Sequence, residues 1–387
     1  MIHRARALCS AALFVALAGA SLACQSPPRG AESTQPAAGA PAGSGGGQAS
    51  AGGAPAPAAS GQAPAPSAPS GAAAPAPLKV RVSQPLDALS LASMYVARGN
   101  GYFADEAIEP EVITFSGGGP DVQALIAGDV EFNATAATFL ISAYQEGTPL
   151  LGVVSILNRA VVNAVIHKDV AQAKGITPTT PLADKLAALR GLTLGVSRPG
   201  SLTFQIGTYF IQQAGLTPGN EASVLAVGGG TAMLASLEQR KVDVIVNSPP
   251  EPEEAMRQGI GVMFINNSAG EDPGLADFLQ QVLLVRPDYA RDNPDRVRRM
   301  VRALVRADRW ITEHSAEEMA SVLQPFFPQM PTETLVDASR AVRDAVPADG
   351  RMTEAGILAN YKLMELTGSL KGRPAWDALV TNEYLPQ

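Results

Sequence analysis

From Leu78 onward apolar and polar positions alternate as Leu78-Lys79-Val80-Arg81-Val82, the period of a half-buried β-strand. A polar stretch from Ser83 to Asp87 comes next. Leu91, Met94, Tyr95 and Ala97 then share the inner side of a helix predicted from about Leu89 to Gly101. A second strand, Glu111 to Phe115, ends at Gly117-Gly118-Gly119, whose backbone can take positive φ and approach a neighbour closely. Pro120 or Asp121 opens the next helix, which runs through Leu125 and is closed by Gly128. A third strand, Phe132 to Thr138, carries the chain into the polar positions Asn133-Ala134-Thr135, read as a loop.

This order recurs. Leu192 to Val196 predicts a strand, Ser197-Arg198-Pro199-Gly200-Ser201 a loop, and Leu202 to Ala214 a helix ended by Gly215. After Val246 the chain reads Asn247-Ser248-Pro249-Pro250-Glu251-Pro252, and because Pro250 and Pro252 cannot continue a ladder the strand stops there. Gly117-Gly118, Leu125 and Val130-Glu131 reappear 112 residues on as Gly229-Gly230, Leu237 and Val242-Asp243. Val82-Ser83 and Gly101 reappear 114 residues on as Val196-Ser197 and Gly215. Tandem βαβ units of this size predict an α/β protein of two similar lobes, each a mostly parallel sheet flanked by helices. A small ligand would sit in the cleft between them. Convergent likeness between two βαβ units is the competing explanation. From Asp288 helices dominate, one starting at Asn293 or Pro294 with Val297, Val301, Leu304 and Val305 on one face. Arg298, Arg299, Arg302, Arg306 and Arg309 lie mostly on the other, which reads as a solvated face rather than a nucleic-acid surface.

The N-terminus bears on location. Arg4 and Arg6 precede an uncharged Ala/Leu-rich stretch from Ala7 to Cys24, the pattern of a secretory signal over residues 1–23. Ser21-Leu22-Ala23-Cys24 resembles a bacterial lipobox, which would make Cys24 a lipidated N-terminus; Ala18-Gly19-Ala20 offers an ordinary cleavage site instead. Residues 24–77 form an Ala/Pro/Gly/Ser linker. From Gln25 to Pro77 it has no Val, Ile, Leu, Met or aromatic residue, so it has nothing to bury against the entropy of ordering and reads as a flexible tether. Without Arg4 and Arg6 the chain keeps 27 basic and 36 acidic side chains, which disfavours nucleic acid as a partner. Cys9 and Cys24 are the only cysteines, so no disulfide is expected inside the folded part.

At Ser201 the chemistry becomes specific. Ser201 or Thr203 can cap the adjoining helix, and free amides beside Gly200 and Arg198 would suit an anion. Capping alone is the other reading. No Gly-x-Ser-x-Gly elbow, Ser/His/Asp set or His pair at i, i+4 occurs, and the histidines are His3, His167 and His314. Neither catalysis, a metal nor another cofactor is expected.

Together Gly117-Gly118 with Ala124-Leu125-Ile126-Ala127-Gly128-Asp129-Val130-Glu131, and Leu189-Arg190-Gly191-Leu192-Thr193-Leu194-Gly195-Val196, resemble a family of solute-binding proteins. So does Ala214-Gly215-Leu216-Thr217-Pro218 with Gly228-Gly229-Gly230 after it. The family is the sulfonate, nitrate and thiamine-precursor type of extracytoplasmic receptor of ABC importers. A departure is Gln239-Arg240-Lys241, where the family usually has Ala-Gly or Ser-Gly. The resemblance implies a periplasmic-binding-protein fold of the second type, with residues 78–165 plus 284–387 as lobe one and 166–283 as lobe two. Two strands would cross the hinge, Val161 to His167 outward and Val282 to Val285 back. It implies ligand contacts from Gln84, Asp87, Gly117, Gly118, Asn133 and Thr135 in lobe one, and from Ser201, Thr203, Asn247 and Pro249 in lobe two, with Arg159 and Arg198 for an anionic ligand. Its partners would be a small polar, anionic molecule and a membrane permease, and the protein would be a monomer. A lipoprotein that senses a ligand without transport would have the same sequence. Relatives of this fold that make the thiamine pyrimidine use iron held by His and Cys, for which this chain is poorly supplied.

Overall fold

A computed structural model describes residues 77–387; the signal segment, the linker and Cys24 lie outside the described residues. Among the described residues, ten strands form two five-stranded sheets. In chain order they are β1 (Leu78–Gln84), β2 (Ile108–Thr114), β3 (Phe132–Ala136), β4 (Leu151–Leu157), β5 (Asn163–His167), β6 (Thr193–Val196), β7 (Ser223–Ala226), β8 (Val244–Asn247), β9 (Gly261–Ile265) and β10 (Gln281–Val285). The first sheet runs β2-β1-β3-β10-β4 and the second β7-β6-β8-β5-β9. β1 pairs parallel with β2 and β3, as β6 does with β7 and β8. The repeat is therefore structural.

Each sheet is mixed, and for the same reason. Its fourth strand is the one arriving from the other lobe, β10 in the first sheet and β5 in the second, and each runs antiparallel to both neighbours. β5 lies wholly in the second sheet and β10 wholly in the first. The chain thus changes lobe before Asn163 and before Gln281, a few residues ahead of the expected divisions. The crossings are segments 158–162 and 266–280 rather than the strands they feed. They are joined where Gln280, fully buried, accepts from Val161 N at 2.6 Å and donates its own N–H to Leu157 O at 2.9 Å.

Other details depart from the pattern for physical reasons. β2 begins at Ile108 and passes through Pro110, which an edge strand tolerates. Asn133-Ala134-Thr135 is strand, not loop: all five residues of β3 are buried between β1 and β10, so polar side chains there report a buried network. In the Pro294–Glu313 helix the apolar stripe is buried as expected, but the arginine face is partly engaged. Arg302 pairs with Glu106 at 2.6 Å, Arg306 with Asp105 at 2.9 Å and Arg299 with Asp295 at 2.8 Å.

The C-terminal helices touch both sheets' layers. Thr332–Arg343 packs on the Glu251–Arg257 helix through Thr334 Oγ1 to Glu254 at 2.6 Å and Arg257 to Asp337 at 2.9 Å. Glu354–Leu366 lies against both Ala137–Gln145 of the first lobe and Leu202–Gln213 of the second.

Candidate ligand-binding cleft

The carboxyl ends of the parallel strands, and the first residues beyond them, build the cleft. Pro85 and Leu86 come directly after β1, Thr135 and Ala136 end β3, Ser197 comes directly after β6, and Asn247 and Ser248 straddle the end of β8. Polar side chains at the carboxyl ends of central strands are where an open α/β sheet holds a ligand. Ala88, Ser90, Leu91, Gly118, Phe139 and Gln281 complete the first lobe's wall, Ser201, Leu202 and Thr203 the second's, and Val162 of the crossing segment also lines the space. The enclosed cavity is small, about 40 Å³, because the lobes stand close together. No lining side chain is charged.

One wall is a cluster of hydroxyls. Ser197 Oγ, Ser201 Oγ and Thr203 Oγ1 lie 2.9–3.0 Å from one another, and Thr203 Oγ1 also accepts from Ser197 N at 3.0 Å. Ser201 starts the Leu202–Gln213 helix as a cap, its Oγ accepting from Phe204 N at 3.2 Å and donating to Arg198 O at 2.8 Å. Capping and cleft lining are thus the same residue.

Of the residues singled out by the sequence, Gly118, Thr135, Ser201, Thr203 and Asn247 are brought together in the lining. Gly118 is close to Phe139: a Cβ there would overlap the ring. Gly117, at φ 121°, leaves room for the stem of Arg198 from the other lobe. Neither Gly117 nor Arg198 is a lining residue, and half-buried Arg159 on the crossing is likewise outside. Gln84 is buried and ties down the turn after β1, its Nε2 donating to Asp87 Oδ1 at 2.8 Å and Thr114 Oγ1 at 3.0 Å; Asp87 is exposed. Asn133 holds the buried Asp121 carboxylate at 2.9 Å and Ser83 Oγ at 2.9 Å. Pro249 offers its carbonyl to Leu89 N across the lobes at 2.9 Å. Leu86, Phe139, Val162 and Gln281 were not foreseen, and the apolar three look like core residues in the sequence.

Behind Asn247 lie two buried carboxyls, Glu251 and Glu253, that form no ion pair among the described residues. Asn247 Nδ2 donates to Glu251 Oε2 at 3.2 Å, and burial pushes the Glu251 carboxyl up to about 7. Glu253, on the same helix, is pushed up to about 8 by burial, with the charges of Glu251 and Asp337 adding to it.

Two like α/β lobes, exchanging one antiparallel strand and closing on a neutral polar cleft, define the periplasmic-binding-protein fold. The chain belongs to the NMT1-like family, whose model matches residues 71–324. By sequence it is similar to YtlA of Bacillus subtilis (strain 168), named as a binding protein, at 19% identity over 79% of this chain and 88% of that one. The alkanesulfonate-binding protein SsuA of Xanthomonas axonopodis pv. citri, solved with MOPS, superposes with a TM-score of 0.62 at 16% identity, over 80% of this chain and all of that one. A ligand-binding component of an ABC-type import system from Staphylococcus aureus does so with a TM-score of 0.63 at 14% identity, over 79% and 97%. The solved relatives are mainly binding proteins; a desulfurization enzyme shares the fold as well.

Proposed function

We propose that this chain is an exported, lipid-anchored solute-binding protein that captures one small polar molecule between its lobes and delivers it to an ABC permease. The observation that carries the reading is a cleft lined from both lobes by neutral polar groups, with the Ser197, Ser201 and Thr203 hydroxyls on one side and Thr135 and Gln281 on the other. The names of the SsuA and Staphylococcus aureus proteins support it. Lipidation at Cys24 rests on the lipobox-like Ser21-Leu22-Ala23-Cys24, and the linker after it would give the domain reach toward a membrane partner. The anionic ligand expected from Arg198 and Arg159 is less well served, because neither lines the cleft. An anionic group at the hydroxyl cluster, where the Leu202–Gln213 helix starts, is the second reading.

Purification from its own cells tests the proposal. Native mass spectrometry should show one small molecule per chain, released unaltered on denaturation, and Cys24→Ala should move the protein from the membrane to the soluble fraction. Chemical conversion of the bound molecule would contradict a binding role, and unchanged fractionation would contradict the anchor.

A further inference from the structure

Two side-chain carbonyl oxygens at the cleft have no partner. Asn247 and Gln281 are 1% and 5% exposed, come from opposite lobes, and both line the space. In each the amide nitrogen is engaged: Asn247 Nδ2 with Glu251 Oε2 at 3.2 Å, Gln281 Nε2 with Ser90 Oγ at 3.2 Å. Each oxygen, Asn247 Oδ1 and Gln281 Oε1, is buried with nothing to accept from. Glu251 Oε2 accepts from Asn247 Nδ2, a role open to the ionised carboxyl and, with the proton on the other oxygen, to the neutral one, and this arrangement leaves Asn247 Oδ1 as the free end. A buried acceptor left unpaired is costly, and a ligand that supplies its donor gains the difference.

We propose that the cognate ligand is a small neutral molecule carrying N–H or O–H donors, one for Asn247 and one for Gln281, and is not a donor-free oxyanion. This rests on the binding role proposed above and specifies its ligand. An oxyanion would bring a charge into a space with no charged lining and would face two carbonyl oxygens, with the Glu251 carboxyl behind one of them. Ser201 Oγ donates to Arg198 O and Ser197 Oγ to Ser201 Oγ, which leaves the Thr203 hydroxyl to serve an acceptor on the same molecule.

Matched pairs of small carboxylates and their primary amides, and of alkanesulfonates and their sulfonamides, are the probes. Ligand-observed NMR on the full chain ranks the two members of each pair. The amide or sulfonamide should bind better by roughly tenfold, equivalent to about 1.4 kcal/mol. Gln281→Met should narrow that preference, since Asn247 still offers its oxygen, and Gln281→Glu, which keeps an acceptor and repels an oxyanion, should retain or widen it, with circular dichroism confirming that both variants fold. Preference for the oxyanions would overturn the donor assignment and leave the binding role standing. Binding of no member of any pair would overturn both.

Discussion

At the scale of single residues, the acidic group behind the cleft makes a prediction independent of any ligand. Glu251 and Glu253 ordinarily titrate near 4.5 but are displaced to about 7 and about 8, chiefly by burial. The folded state therefore holds protons that the unfolded chain has released. Stability is full below the unfolded value and falls as pH rises through the folded ones. At 1.36 kcal/mol per pH unit the loss is about 3 kcal/mol for Glu251 and about 5 kcal/mol for Glu253, upper bounds where neighbours relax. Asp337 and Asp87 add repulsion, while Arg257 and Arg340 are already paired with Asp337. Denaturant midpoints should fall between about pH 5 and pH 9, and Glu253→Gln should flatten that fall. A midpoint that climbs over this range would show that the carboxyls are ionised in the fold.

Among elements, the Leu202–Gln213 helix was the most legible, because Ser201, Gly200 and Gly215 mark its ends by capping chemistry that acts locally. Ser201→Ala should cost about 1 kcal/mol in denaturant unfolding, the usual value of such a cap. A variant as stable as wild type would mean that Thr203, 3.0 Å away, substitutes for it. The repeat was legible for a related reason: glycines at Gly117-Gly118 and Gly229-Gly230 answer to close approaches, to Arg198 and Phe139 in one copy and Leu86 in the other. β3, β5, β8 and β10 were harder because they are buried throughout and lose the alternation that identifies a strand. Asn133 was misread on that account. Arg240, where the family usually has Gly, takes φ 57° after the Thr231–Glu238 helix, a conformation that suits glycine, and lies within ion-pair distance of Asp243, at 3.8 Å.

For the whole molecule, two lobes were legible in the 112-residue offset, but the composition of the cleft was not. Its walls join Pro85 and Leu86 to Thr135, Ser248 and Gln281, residues far apart in the chain that only the strand order brings together. Apolar members such as Phe139 and Val162 carry no signal that separates a ligand wall from a core. Closure is visible in contacts made across the lobes, Leu89 N to Pro249 O and Arg198 against Gly117. If a ligand is held between the lobes, it must depend on both. The most direct test is calorimetric titration of the co-purified molecule into wild type, Thr135→Val of the first lobe and Asn247→Ala of the second. One site per chain is expected, with a loss of roughly tenfold or more in each variant, the size of a buried hydrogen bond left unmade. Wild-type affinity in either variant would place the ligand on one lobe or elsewhere, and would contradict it.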